Sequence, residues 1–92
     1  TPDMGFDGSI TDSGAGQFDC SVEEAGAADA VDLIWGYSPT SLLYTQALNE
    51  AVNVWTALNV VANSGAYVYG RFIIKDGGDI VGRTGIYSLK VT

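Results

Sequence analysis

The sequence predicts an all-β domain of short antiparallel strands, a sandwich or a barrel, and three observations carry this. Turn-forming residues punctuate the chain at short intervals. The runs between them alternate apolar and polar residues with period two. No apolar run approaches the roughly 18–20 residues that a membrane helix needs. The 92 residues fit a single domain, residues 1–92. A chain of that size buries roughly 60–65% of its unfolded surface, enough for one modest core.

In order along the chain, Phe6, Gly8 and Ile10 share the face of a first strand, and Asp12-Ser13-Gly14-Ala15-Gly16 forms a loop. Phe18, Cys20 and Val22 share the next face, against Gln17, Asp19 and Ser21. A loop from Glu23 to Asp29 leads to a third strand, with Val31, Leu33, Trp35 and Tyr37 on one face and Asp32 opposite. Ser38-Pro39-Thr40 breaks that run. The stretch from Ser41 to Val61 supports two readings. Tyr44, Leu48, Ala51, Trp55 and Leu58 would line one face of a helix, with Thr40 or Ser41 as its cap. Val52, Val54, Thr56, Leu58 and Val60 alternate as a strand would, among β-forming residues. The strands on either side favour two short strands over a helix across residues 41–58.

Asn63-Ser64-Gly65 is the next break. The run Val68-Tyr69-Gly70-Arg71-Phe72-Ile73-Ile74 is apolar on both faces. Asp76-Gly77-Gly78-Asp79 reads as a hairpin turn, because paired glycines accept the positive φ angles that such turns require. Tyr87, Leu89 and Val91 then share the face of a last strand, against Ser88 and Lys90.

These residues resemble an immunoglobulin-like or fibronectin-III-like domain. Cys20 sits mid-strand in Phe18-Asp19-Cys20-Ser21-Val22, and Trp35 follows fifteen residues later. Ser64-Gly65-Ala66-Tyr67-Val68-Tyr69 is similar to the family's approach to strand F, where a tyrosine corner is found, and Tyr67 matches the corner tyrosine. Tyr87-Ser88-Leu89-Lys90-Val91 looks like a closing strand. The resemblance spans about residues 16–92 and implies an immunoglobulin-like antiparallel β-sandwich of about seven strands. Position 69, where the family's second cysteine belongs, is Tyr69, so the inter-sheet disulfide is absent and stability has to come from packing. Trp35, Phe18, Leu33, Tyr87 and Leu89 are the expected chief contributors.

Charge and chemistry narrow the function. The net charge is −7, with 11 acids against Lys75, Lys90, Arg71 and Arg83. A phosphate backbone would be repelled, so nucleic acid is not an expected partner. Membrane insertion is not expected either. Cys20 is the single cysteine, read as a buried thiol or a link to another chain. The chain opens on Thr1-Pro2-Asp3 with its one Met at position 4, the expectation being a processed or excised product. Histidine, the commonest general base and metal ligand, does not occur. The hydroxyls therefore have no His partner, and Gly77-Gly78 is followed by Asp79, the wrong charge for a phosphate cradle. Asp76 with Asp79, and Glu23 with Glu24, read as solvated turn residues. No catalytic, cofactor-binding or metal residues are assigned, no cofactor is expected, and the chain reads as a non-enzyme.

The expected function is a structural or adhesive module working by protein–protein contact or self-assembly on a cell surface, filament or virion. Its localisation would be extracellular or at the cell surface. The contact is expected at an outer sheet face or an edge strand. In the 68–74 run, the family's register turns Tyr69 and Ile73 inward, whereas hydrophobicity turns Val68, Phe72 and Ile74 inward. A bulge at Gly70 would switch between them. Either way bulky apolar groups remain outside, joined by Ile34 and Ile86. Trp55 is either exposed or buried under a loop. The alternatives are a carbohydrate- or ligand-binding accessory domain, with Trp55, Tyr44 and Tyr37 as stacking surfaces, and a calcium-rigidified linker in which Asp3, Asp7 and Asp12 join Asp76 and Asp79.

Overall fold

The computed structural model describes residues 7–23, 28–51 and 54–92. Among these it is all-β, with no helix and therefore none long and apolar enough to cross a membrane. The strands are β1 (Asp7–Gly14), β2 (Gln17–Glu23), β3 (Ala30–Gly36), β4 (Tyr44–Ala47), β5 (Asn49–Ala51), β6 (Val54–Val61), β7 (Tyr67–Asp76), β8 (Asp79–Arg83) and β9 (Tyr87–Lys90). They form two antiparallel sheets, one ordered β1-β2-β6-β5 and one β4-β3-β7-β8, with β9 also paired to β7. Chain-consecutive strands form hairpins or cross between the sheets, except β8 and β9, which both pair with β7, and the inner faces enclose one core.

Period-two patterning produces that core. β2 buries Phe18, Cys20 and Val22, and β3 buries Val31, Leu33 and Trp35. The Phe18 and Trp35 rings meet edge-on across the sheets, 5.1 Å between centroids at 80°. Tyr87 also packs edge-on against Phe72, within one sheet, at 5.7 Å and 87°. Tyr87 and Leu89 are only partly buried, and the last strand's deepest group is Val91.

β7 takes the hydrophobic register. Val68, Phe72 and Ile74 are fully buried, while Tyr67 is 55% exposed. The family's register would have buried Arg71 and Lys75, two charges that the core has no partners for. Tyr67 therefore forms no corner: it lies on the outer surface under the Lys90 ammonium, 6.0 Å from its ring centre. The β3–β7 pairing runs without a shift through Trp35↔Gly70, so no bulge occurs at Gly70. Glycine is required there by crowding, because a Cβ would stand 2.9 Å from Leu33 Cδ1 and 3.2 Å from Trp35 Cβ.

The ambiguous 41–58 stretch holds strands and no helix among its described residues, in more pieces than the two expected. β4 lies in one sheet and β5 in the other, and the chain changes sheets at Leu48, which is buried and donates its N–H to Val31 O at 2.9 Å. In β6, Trp55 and Ala57 point inward, then the register shifts so that Val60 points inward as well. The shift is a bulge opposite Asp19, with Asn59 at φ 57° and its N–H bonded to Asp19 Oδ1 at 2.8 Å. Trp55 is thus buried, and Leu58 takes the exposed position.

β8 and β9 act as one ribbon with an interruption, which is one reason there are more strands than the seven expected. Thr84 sits in the gap, fully buried. Its N–H bonds to Phe72 O at 3.0 Å, its Oγ1 accepts the Phe72 N–H at 3.0 Å, and its hydroxyl donates to Gly85 O at 2.9 Å. The Asp76–Asp79 hairpin forms as expected, with Gly77 and Gly78 at φ 64° and 87°.

At the other end of β7, the Asp12 carboxylate ties the β1–β2 hairpin to the last residue. It accepts the Thr92 hydroxyl at 2.6 Å, the Thr92 N–H at 3.2 Å and the Gly14 N–H at 3.1 Å. The Thr92 hydroxyl foremost, then the two N–H groups, hold this carboxyl below the ordinary aspartate range. A depressed pKa means the tie contributes above the unfolded value, about 3.9, and is lost as pH falls through the folded one. Urea melts should therefore show wild type above Asp12→Asn at pH 6, with the gap closing toward pH 2.5. A gap unchanged by pH would show that the charge is not what anchors Thr92.

Candidate protein-docking surface

The outer face of the five-stranded sheet carries an open groove of about 420 Å³. Strand parity sets its lining. Residues 69, 71, 73 and 75 of β7 point outward, opposite the buried set, and the pairs Ile34↔Arg71 and Asp32↔Ile73 bring β3's outward groups beside them. Ile34, Ile73 and Ile80 supply the apolar part, and Asp32, Arg71, Lys75 and Arg83 the charges. The expected apolar outer face is therefore small: Ile73 lines the groove but is only 8% exposed, Ile34 is half-buried, and Ile80 is the exposed apolar group. Ile86, 43% exposed, lies beyond the groove in the β8–β9 link.

All four cations of the chain lie on this one face. Arg71, Lys75 and Arg83 line the groove, and Lys90 is brought to the same side by its pairing with Tyr67. Lys75 is neutralised by Asp32, Nζ to Oδ2 2.8 Å. Arg71 and Arg83 have no hydrogen bond or ion pair among the described residues, and the Arg71 Nε is sealed from solvent without an acceptor. Two planar guanidinium forks beside aliphatic side chains suit carboxylates presented by another surface. Sequence reasoning missed this clustering, although the spacing of Arg71 and Lys75 against Phe72 and Ile74 was the signal for it.

The groove runs to the sheet edge at Thr45, on β4. That edge is bare. β4 pairs with β3 on one side only, and no charged residue occurs between Asp32 and Glu50. Leu43 is 75% exposed and Tyr44 46%. Tyr44 and Tyr37 lean on Trp35, at 4.8 and 5.6 Å between centroids, so an aromatic cluster runs from the core to the edge. Sheet edges are ordinarily guarded by Lys, Pro or bulges, and β4 has none of them.

The opposite outer face differs in kind. Ser9, Thr11, Asp19, Ser21, Thr56 and Leu58 border a shallow depression, and Glu23 stands exposed at the end of β2.

Other sequence candidates are placed as follows. Cys20 is buried in the core, and burial raises its pKa to about 11, so it stays a neutral thiol near neutral pH. Trp55, being buried, offers no stacking platform, and Tyr37 and Tyr44 meet each other edge-on at 76°. Asp12 and the Asp76–Asp79 turn lie at opposite ends of β7, which separates Asp12 from any ion held at that turn. Within the turn region, Asp29 Oδ2 accepts the Gly77 N–H at 2.8 Å. Among the described residues no three acidic, cysteine or histidine groups converge on a metal position. Asp3, Phe6 and Glu24, and the side chain of Asp7, are outside the described residues.

Comparison with family models, with curated proteins and with solved structures gives no match for this chain.

Proposed function

We propose that this domain is a non-catalytic structural or adhesive module, immunoglobulin-like in strand order, that acts by protein–protein contact through the edge strand β4. The observation that carries the reading is the uncharged, exposed edge itself, with Leu43 and Tyr44 beside it. An edge of this kind offers unpaired backbone N–H and C=O groups to an extended strand of another chain. The strand order supports the immunoglobulin-like part. β1-β2-β6-β5 facing β4-β3-β7-β8/β9 corresponds to sheets A-B-E-D and C′-C-F-G. A chain without histidine, whose one thiol is buried, supports a role without catalysis. On this reading its location would be extracellular or at the cell surface.

The first partner to test is a second copy, two β4 strands pairing about a two-fold axis. Sedimentation velocity from micromolar to millimolar protein should show reversible association of the wild type. Leu43→Lys/Tyr44→Lys, folded by circular dichroism, should remain monomeric in about 500 mM salt, where contacts between exposed charges are screened. A wild type that stays monomeric and also ignores its native neighbours would overturn the reading, as would a double variant that associates as well as the wild type.

A further inference from the structure

The two outer faces of the sandwich are unlike in charge, and the chain carries both halves of the complementarity. The five-stranded face holds all four cations, with Arg71 and Arg83 unneutralised among the described residues. The four-stranded face presents Asp19, Glu23 and a row of hydroxyls, and no cation. Asp19 spends Oδ1 on the Asn59 N–H, which fixes the carboxylate while Oδ2 has no partner among the described residues. Each face also has an exposed apolar element, Ile80 beside the half-buried Ile34 on one and the 68%-exposed Leu58 on the other.

We propose that these faces dock onto one another between copies of this chain, the Arg71/Arg83 groove of one receiving the Asp19/Glu23 face of the next. The contact is heterologous, so successive copies stack in one direction, and it leaves both β4 edges free. It rests on the reading of the domain as a protein-contact module, but uses the outer face of the sheet and not the backbone edge of β4. With a net charge of −7, copies in random orientation repel. Only the cation-to-acid arrangement attracts, so the segregation of charge selects both partner and direction. Because these charges are largely exposed, salt must weaken the contact.

The test is sedimentation velocity in about 20 mM and about 500 mM salt, which span the change from long to short screening length. Wild-type association should weaken by about tenfold or more at the higher salt. Arg71→Glu/Arg83→Glu should abolish the salt-sensitive part, and Thr11→Lys/Glu23→Lys should do the same. Mixing the two variants should restore it, since each then supplies the face the other has lost. Association that ignores both salt and the arginine variant would overturn the proposal, and so would failure of the mixed variants to associate. Preferential binding to duplex DNA or heparin without self-association would also overturn it. Leu43→Lys/Tyr44→Lys separates the two readings. If this variant keeps the salt-sensitive association, the face holds, and the edge fails only if the association left in high salt also matches the wild type; if only this variant loses association, the edge holds and the face fails.

Discussion

Trp35→Ala should cost roughly 3–5 kcal/mol and remove most of the folded population. Trp35 is 6% exposed and sits where the two sheets and the edge meet. It meets Phe18 edge-on across the core, supports Tyr37 and Tyr44 on its outer side, and has Gly70 cleared opposite it. The cavity would be too large for that rigid surround to fill. A domain of this length has only about 5–14 kcal/mol in hand, and no disulfide adds to it. Urea titration followed by far-UV circular dichroism measures the loss, and a change below about 1 kcal/mol would mean that Trp35 is not at the centre of the packing.

Thr84→Val should have the next largest effect, about 1–3 kcal/mol, though it changes neither size nor shape appreciably. The Thr84 hydroxyl is the partner of the Phe72 N–H where the β8–β9 ribbon leaves β7. Valine would leave that donor unsatisfied inside the protein. Thr84→Ser keeps the oxygen and loses a methyl, so it should be the milder of the two changes in the same urea titration. Equal stability of Thr84→Val and wild type would show that the hydroxyl does not substitute for the missing ladder bond.

The strands built on simple alternation were legible because burial alone sets their register. Phe18, Cys20 and Val22, and Val31, Leu33 and Trp35, read directly as inward faces, and Gly77-Gly78 read as the turn it is. Where two physical demands competed, the sequence was ambiguous. Between 41 and 58, the change of sheet at Leu48 resets the phase, and the bulge at Asn59 resets it again just beyond that stretch. Tyr67 looked like a corner residue from its neighbours Ser64-Gly65, yet turning it inward would have carried Arg71 and Lys75 in with it. The docking surface was half legible. Its apolar content could be read from the 68–74 run, but gathering Arg71, Lys75, Arg83 and Lys90 on one face depends on the pairings of β7 with β8 and β9. The bare edge was visible only as a stretch without charge, since nothing in the residues says that β4 ends its sheet.

Hydrogen exchange at β4 tests most directly whether this strand is where a partner pairs. In the dissociated protein, the Tyr44–Ala47 amides not bonded to β3 should exchange at near-solvent rates. On association the same amides should slow sharply while the buried β2 and β3 amides change little. Protection that leaves Tyr44–Ala47 untouched would contradict pairing at this edge.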